Sequence, residues 1–353
     1  MSEPEVIIQR RGHAGWIELN RPKALNALNL GMVRTIAAAL DEFEADKGIA
    51  RIVVTGAGGR AFCAGGDIRL LYEQGKAGDH AAQLAFWREE YILNQRIKRY
   101  PKPYVSLIDG IVMGGGVGLS AHGSHIVAGE RYVFAMPEVG IGFFPDVGAS
   151  YVLPRLPHRV GRYFALTGER ANAGDAIAFG LAHAFVASAQ SGELAKALEG
   201  EEATDDILTR FRTEPPASSL ASDAGLIERC FISETVSGCL AALEAAAKEG
   251  AALAGRALAA MMAKSPTSQA IALRQMQVGA EASFEEAMGV DFRIVSRICH
   301  GHDFYEGVRA VIVDKDNRPA WRPAAHADVT PEDINAYFAP LGADDLIFEA
   351  APK

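Results

Sequence analysis

Two glycine clusters, each directly after an apolar run typical of a strand, restrict the folds open to this chain. The first is TGAGGRAFCAGGDI at residues 55–68, and the second is DGIVMGGGVGLSAHG at residues 109–123. A strand, glycines and then a helix bring the backbone close to a ligand, with N–H groups exposed at the helix N-terminus. Tight packing, or a turn with positive φ, would need the same glycines. Together, the two clusters could each supply one backbone N–H to a single oxyanion.

The first cluster also matches a relaxed dinucleotide-binding pattern, because Gly56, Gly58 and Ala61 follow a strand-like run. In that fold, a second parallel strand ending in an acidic residue follows within about 20 residues. A long helical pattern follows here instead. This argues against a nicotinamide-dependent dehydrogenase.

Strand-like and helical patterns alternate along the first half of the chain. Asn29 could cap a helix, since apolar side chains recur at helical spacing after it. A second helix is predicted at residues 83–99. Strands are predicted at residues 6–9, 16–19, 52–55 and 104–108.

From about residue 149 the pattern becomes helical to the end. We therefore predict the α/β class, with a core at residues 1–190 and an α-helical extension at residues 191–353. Residues 191–223 contain two adjacent prolines and many small polar residues. They are predicted to be a linker or a variable segment.

The charge balance restricts the partners. Asp and Glu outnumber Lys and Arg by 44 to 35, which gives a net charge of -9. Nucleic acid and anionic membranes are therefore not expected, because phosphate contacts need clustered positive charge. The longest apolar stretch, residues 104–119, is interrupted by Asp109 and five glycines. No transmembrane helix is predicted.

The four cysteines form no CxxC pair and no zinc spacing, so free thiols are expected. The histidines show no convincing metal-ligand pattern, and no metal site is predicted. The first residues, MSEPEVIIQRRG, contain no export signal and differ from a transit peptide. A cytoplasmic protein is predicted.

Three acidic residues near the two glycine clusters are candidates for proton transfer. Glu138 follows a proline and could equally be a first-turn acid that complements a helix dipole. Asp146 could be the N-cap of a helix over residues 147–156. Glu90 lies between apolar residues at helical spacing, where a buried carboxylate needs a partner or a ligand. A half-exposed position at the flank of that helix fits Glu90 equally well.

The order and spacing of five segments resemble the crotonase (enoyl-CoA hydratase/isomerase) superfamily. These segments are NRPKALNAL (20–28), AFCAGGDI (61–68), the second glycine cluster, PEVGIGFFPDVGAS (137–150) and LTGERANAGDAIAFGLAHAFV (166–186). Three others, FWREEY, FFPD and DFYEGVRAVIVDKDNRPAW (303–321), resemble one branch, the 3-hydroxyisobutyryl-CoA hydrolases. The resemblance implies a crotonase-like spiral of ββα units with a C-terminal α-helical extension.

The resemblance also implies a role for individual residues. The backbone N–H groups of Gly66 and Gly115 would form an oxyanion hole. Glu138 occupies the position of the family's catalytic carboxylate, and Asp146 that of a second acid in the hydrolase branch. Glu90 matches a substrate-pocket glutamate of the same branch. The path of the CoA nucleotide and pantetheine would be lined by Lys23, Ala24, Leu25, Ala64, Gly65, Asp67 and Ile68.

The residue at position 118 bears on the type of reaction. Hydratases of this superfamily carry a second catalytic glutamate two residues after the glycine triplet, where this chain has Gly118. Adding water to a double bond requires two carboxylates that share that water. The resemblance therefore implies an acyl-CoA thioester hydrolase acting on 3-hydroxyisobutyryl-CoA, a step of valine catabolism. An enoyl-CoA hydratase or isomerase, and a non-catalytic CoA- or RNA-binding member, are the alternatives.

The resemblance implies an acyl-CoA substrate and no separate cofactor. Glu138 could act as a general base or as a nucleophile, and both routes stay open. The assembly could be a homo-oligomer based on trimers, as in much of the family. A monomer is equally open, because the long helical extension could fold over its own core.

Overall fold

The structure is a computed structural model that describes residues 3–348, which form a mixed α/β fold. Its strands β1–β10 are Val6–Arg11, Ala14–Leu19, Arg51–Gly56, Ala61–Cys63, Tyr104–Ile108, Ile111–Met113, His125–Ala128, Val133–Ala135, Ala171–Asn172 and Ala184–Phe185. Its helices α1–α16 are Leu30–Ala45, Ile68–Lys76, His80–Lys98, Gly115–Ser120, Ala149–Val152, Val160–Thr167, Ala173–Phe179, Ser191–Leu198, Thr204–Phe211, Ala224–Cys230, Val236–Lys248, Ala252–Met262, Pro266–Gly279, Phe284–Ile298, His302–Val308 and Pro331–Phe338. The described residues after β10 contain helices and turns but no strand.

Local sequence signals account for the start of the fold. The Asn29 side chain accepts a hydrogen bond from the Met32 N–H at 2.9 Å, so the predicted helix cap is confirmed. The predicted strand at residues 104–108 is β5, with the same bounds. The helix predicted at residues 83–99 is α3, which begins three residues earlier at His80.

The strands form two sheets. The first has the order β1-β2-β3-β5-β7-β10, in which β1 and β2 are antiparallel and the remaining neighbours are parallel. The second has the order β4-β6-β8-β9, with β4 and β6 parallel. Because parallel neighbours end at the same edge of a sheet, the loops after β4 and β6 are brought together there.

The chain divides into two compact units. Unit 1 contains residues up to 66, 93–134 and 171–221, and includes the strands of both sheets except the last residue of β8. Unit 2 contains residues 67–92, 135–170 and those from 222 onward, and is predominantly helical. The predicted boundary at residue 190 marks the end of the strands and does not coincide with a border between these units.

Residues 191–223 are not the predicted linker. Helices α8 and α9 lie in this segment and bury an apolar face in the core of unit 1. Arg51, which is itself buried, donates hydrogen bonds to the carbonyl oxygens of Leu198 at 2.7 Å and Gly200 at 3.1 Å. The apolar residues recur at i, i+3 and i+4, a helical signal that the surrounding polar residues and prolines obscure. The buried side chains are Leu194, Leu198, Ile207, Leu208 and Phe211.

Within residues 3–348, no helix combines the length and the apolar character needed to span a bilayer.

Candidate active site

Unit 1 contains a glycine-lined site at the ends of β4 and β6. The loop after β6 turns at Gly114, whose φ of 47° favours glycine, and α4 begins at Gly115. The N–H of a first helical residue has no partner within its own helix. The loop after β4 turns at Gly65, with a φ of 117°. The Leu28 N–H donates to the Gly65 carbonyl oxygen at 2.8 Å and fixes this turn.

The two loops contact each other, and at Gly116 they are too close for a side chain to fit. A Cβ atom added to Gly116 would lie 2.3 Å from the Cys63 carbonyl oxygen, and one added to Gly65 would lie 3.5 Å from that of Met113. Among the hydrogen bonds of the described residues, none is donated by the Gly66 or Gly115 N–H. Two such N–H groups on adjacent loops can polarise a carbonyl oxygen. Their assignment as an oxyanion hole stays a prediction.

The residues predicted to line the CoA path lie next to this glycine site or just after it. Lys23 and Ala24 are exposed in a short 3₁₀ turn. Leu25 follows with a φ of 51°, and its carbonyl oxygen accepts from the Ala64 N–H at 3.0 Å. The segments that contain Leu25 and Ala64, both predicted to line the CoA path, are therefore in direct contact within unit 1. Their role in CoA binding stays a prediction.

Sequence reasoning missed a residue that holds this region together. Asn26 is fully buried and has a φ of 58°. Its side-chain oxygen accepts from the Arg21 N–H at 2.9 Å, and its Nδ2 donates to the carbonyl oxygens of Ala57 at 3.0 Å and Ala61 at 2.9 Å. In the sequence, the position of Asn26 within the NRPKALNAL motif could have indicated this role.

Asp67 and Ile68 are the first residues of unit 2. Asp67 is the N-cap of α2, and its side chain accepts from the Leu70 N–H at 3.3 Å. Ile68 is half-buried in the first turn of that helix. The structure thus explains Asp67 as a helix cap, while the predicted contact of both residues with CoA stays a prediction.

Unit 2 brings the three predicted acids into one buried cluster. The exposed fractions are 2% for Glu90, 7% for Glu138 and 5% for Asp146. Burial raises the pKa of both glutamates well above the ordinary range, and repulsion from Asp146 raises each further. Within residues 3–348, Oε1 of Glu90 and Oε2 of Glu138 accept no hydrogen bond. Two buried carboxyl groups therefore retain the capacity to bind a proton or a ligand.

Glu138 begins a 3₁₀ turn, Glu138–Ile141, directly after Pro137. This position agrees with the alternative interpretation, in which Glu138 is a first-turn acid that complements a helix dipole. A purely dipolar role does not require burial, however, because such acids stabilise helices from the surface. The burial of Glu138 and its free oxygen favour a chemical role.

Asp146 is not the helix cap that the alternative interpretation proposed. The helix predicted at residues 147–156 begins at Ala149 with Gly148 as its N-cap, and no side chain caps it. The carboxylate instead accepts a hydrogen bond from the Tyr91 hydroxyl at 2.8 Å. Burial raises the pKa of Asp146 to about 8; the Tyr91 hydrogen bond opposes this shift and the charge of Asp291 adds to it.

Asp291 is a second residue that sequence reasoning missed. This fully buried side chain of α14 accepts from the Gly148 N–H at 3.0 Å and from Nε2 of Gln275 at 2.7 Å. It therefore holds the loop that carries Asp146. Burial raises the pKa of Asp291 to about 7. A charged residue on the apolar face of α14 was the only local signal.

This cluster combines the requirements of general acid–base chemistry. Burial raises the pKa of all three carboxyl groups, and it raises that of Asp146 to about 8, so Asp146 can exchange a proton near physiological pH. Tyr91 and Asp291 fix the position of Asp146, whereas Glu90 and Glu138 each keep one oxygen with no hydrogen-bond partner among the described residues.

Known proteins resemble this chain over nearly its whole length. The 3-hydroxyisobutyryl-CoA hydrolase of Rattus norvegicus is 45% identical over 98% of this chain and 91% of its own length. The Homo sapiens protein of the same name is 43% identical over the same shares, 98% and 91%. A solved structure named carnitinyl-CoA dehydratase, from Mycobacterium thermoresistibile, is 42% identical, with a TM-score of 0.93 over 99% of this chain and 100% of that one.

These comparisons confirm the predicted fold class and the predicted resemblance to the 3-hydroxyisobutyryl-CoA hydrolase branch. They contradict the prediction of a cytoplasmic protein, because the rat and human relatives are both named as mitochondrial. The predicted oligomeric state stays a prediction. Since the model of the family described as enoyl-CoA hydratase/isomerase matches residues 14–338, the chain belongs to the enoyl-CoA hydratase/isomerase family.

Proposed function

We propose that this protein hydrolyses 3-hydroxyisobutyryl-CoA, or a closely similar short 3-hydroxyacyl-CoA, to the free acid and CoA. The names of the rat and human relatives support this substrate, and the resemblance to that hydrolase branch implies a place in valine catabolism. The observation that carries the proposal is the buried carboxyl cluster of unit 2. In this cluster Glu138 lies with Glu90 and Asp146, whereas position 118 in α4 of unit 1 is a buried glycine.

The cluster suits hydrolysis better than hydration. Hydration needs an acid and a base that share one water molecule, and in this superfamily the second carboxylate comes from the position of Gly118. With glycine at that position, α4 supplies no such group. The acids that this chain has instead, Glu138 with Asp146 and Glu90, suit attack at a thioester carbonyl.

In the proposed reaction, the Gly66 and Gly115 N–H groups bind the carbonyl oxygen and stabilise the negative charge that develops on it. Ionised Glu138 either takes a proton from water as the water attacks, or attacks the carbonyl carbon to give a mixed anhydride that water then hydrolyses. In both routes the carbon–sulfur bond breaks, and the CoA thiolate leaves and takes up a proton. The substrate supplies CoA, and no separate cofactor is proposed.

Asp146 has a supporting role in this proposal. With a pKa of about 8 it is largely protonated at neutral pH, so it can donate a hydrogen bond to Glu138 or to the substrate hydroxyl. Glu90 is the other candidate partner for that hydroxyl. A site that hydrogen-bonds a hydroxyl discriminates against substrates that lack it, because its buried polar groups are then left unpaired.

The test is the release of free CoA thiol from a panel of acyl-CoA thioesters. We expect 3-hydroxyisobutyryl-CoA to be hydrolysed with a kcat/KM at least tenfold higher than that of isobutyryl-CoA, the matched thioester without the hydroxyl. Equal rates on the two thioesters would contradict the proposed recognition of the hydroxyl. No thiol release from either would contradict the proposed hydrolase.

A hydratase or dehydratase is the second candidate, because solved structures 41–42% identical to this chain are named enoyl-CoA hydratase and carnitinyl-CoA dehydratase. Crotonyl-CoA separates the two functions. Loss of its double-bond absorbance without thiol release would establish hydration and overturn the hydrolase assignment.

A further inference from the structure

Three potential metal ligands meet in unit 2: His80 and, more than 200 residues further along the chain, the adjacent pair Cys299 and His300. His80 is the first residue of α3, and Cys299 and His300 directly follow α14. One ligand atom of each residue lies within 4.8 Å of the other two. The two imidazole rings are 4.1 Å apart between centroids. Imidazole nitrogen and cysteine sulfur are the ligands that Zn²⁺ prefers in proteins.

A hydrogen bond to a buried amide fixes the tautomer of the His80 ring. Nε2 of Gln83 donates to the Leu71 carbonyl oxygen at 2.6 Å, so the amide oxygen of this buried residue is directed to Nδ1 of His80, 2.7 Å away. An amide oxygen only accepts, and Nδ1 therefore carries the ring proton. Nε2 of His80 keeps a free lone pair. Metal-binding histidines are commonly oriented by a hydrogen bond of this kind.

The backbone of Cys299 is held by Tyr305, which also contacts Gln83. The Tyr305 hydroxyl donates to the Cys299 carbonyl oxygen at 2.6 Å and lies 3.5 Å from Nε2 of Gln83. Cys299 is buried, whereas His300 is exposed. Both histidines line a surface cavity of about 500 Å³, through which an ion and a water molecule can reach them.

We propose that His80, Cys299 and His300 bind one Zn²⁺ ion, with a water molecule as the fourth ligand. Bond lengths of about 2.0–2.3 Å separate tetrahedral ligands by roughly 3.5 Å, so small side-chain rotations close the observed spacing. Binding replaces the thiol proton of Cys299 by the metal and releases that proton to solvent. The affinity therefore falls as the pH falls.

The expected consequence is stabilisation of unit 2. The ion links the start of α3, which carries Glu90 and Tyr91 further along, to the end of α14, which carries Asp291. A ligand that binds only the folded chain raises its melting temperature. With free Zn²⁺ a hundredfold above the dissociation constant, we expect a rise of roughly 3–4 °C for a chain of this length.

The test uses Co²⁺ as a spectroscopic probe on the full-length, reduced protein. We expect one equivalent to bind and to produce a near-ultraviolet band from cobalt–thiolate charge transfer, which Zn²⁺ then abolishes by displacement. Cys299→Ser should lose the band. Cys239→Ser is the matched control, because Cys239 is a buried cysteine outside the cluster, and it should keep the band.

His300→Ala keeps the proposal testable if Cys299→Ser fails to fold, because His300 is exposed. This variant should bind Co²⁺ at least tenfold more weakly, and its melting temperature should not respond to Zn²⁺. Absence of the band in the unaltered protein, its survival in Cys299→Ser, or an unchanged Co²⁺ affinity in His300→Ala would each overturn the proposal.

Discussion

Replacing Asp146 by asparagine should stabilise the protein while it slows catalysis. The side chain is buried, and its carboxylate accepts a hydrogen bond from Tyr91. Asparagine keeps an oxygen that can accept this bond, but it has no proton to lose. In the unaltered protein, burial raises the pKa of Asp146 from 3.8 to about 8, and this favours the unfolded chain once the pH is above 3.8. The effect is absent in Asp146→Asn.

The magnitude follows from proton linkage. Between pH 4 and pH 8 the folded protein holds the Asp146 proton, whereas the unfolded chain has released it, so rising pH favours unfolding. The stability of the unaltered protein thus falls by about 1.4 kcal/mol per pH unit in this window. Asp146→Asn should be more stable by roughly 4 kcal/mol at pH 7 and by about 1–2 kcal/mol at pH 5.

Urea unfolding at pH 5, 6 and 7, combined with CoA release at each pH, measures both effects. Asp206→Asn is the control, since Asp206 is exposed and a change there should alter the stability by less than about 0.5 kcal/mol. A stability difference for Asp146→Asn that does not grow with pH would refute the reasoning. So would a variant that is less stable than the unaltered protein at pH 7.

Three further variants test the glycine site of unit 1 and the carboxyl cluster of unit 2. Gly118→Glu restores the hydratase carboxylate, so thiol release should fall and weak hydration of crotonyl-CoA can emerge; unaltered hydrolysis would place position 118 outside the site. Gly116→Ala puts a Cβ 2.3 Å from a backbone oxygen and should lower kcat by at least tenfold, whereas Gly192→Ala, which meets nothing within 4 Å, should not. Tyr91→Phe removes the hydrogen-bond donor that lowers the pKa of Asp146. Any limb of the pH–rate profile due to Asp146 should therefore move to higher pH. An unmoved profile would contradict the proposed role of Asp146.

Local signals explain which parts of the fold could be predicted. The Asn29 cap and the strand at residues 104–108 are confirmed, because both depend on neighbours in the sequence. Helices α8 and α9 were missed where prolines and polar residues outweighed a short apolar stripe. Their stability comes from burial against the sheet core, which no local pattern records.

The site was predictable only where a motif marked it. Glu138 and Asp146 share one segment, and the structure places both in the same buried cluster. Asp291 joins them from α14, far along the chain, and its role depends on packing that the sequence does not reveal. The same holds for His80 and Cys299, which no sequence spacing brings together.

The most direct test of the proposed hydrolysis is the kcat for CoA release by Glu138→Gln, measured together with its melting temperature. Glutamine keeps the shape of the side chain but cannot act as a base or nucleophile, so we predict a loss on the order of 100-fold or more. The melting temperature should be unchanged or higher, because a buried carboxyl group has been neutralised. Glu130→Gln, at an exposed glutamate, should leave both values unchanged. Near-normal turnover by Glu138→Gln, or activity lost only in step with stability, would contradict a catalytic role for this carboxylate.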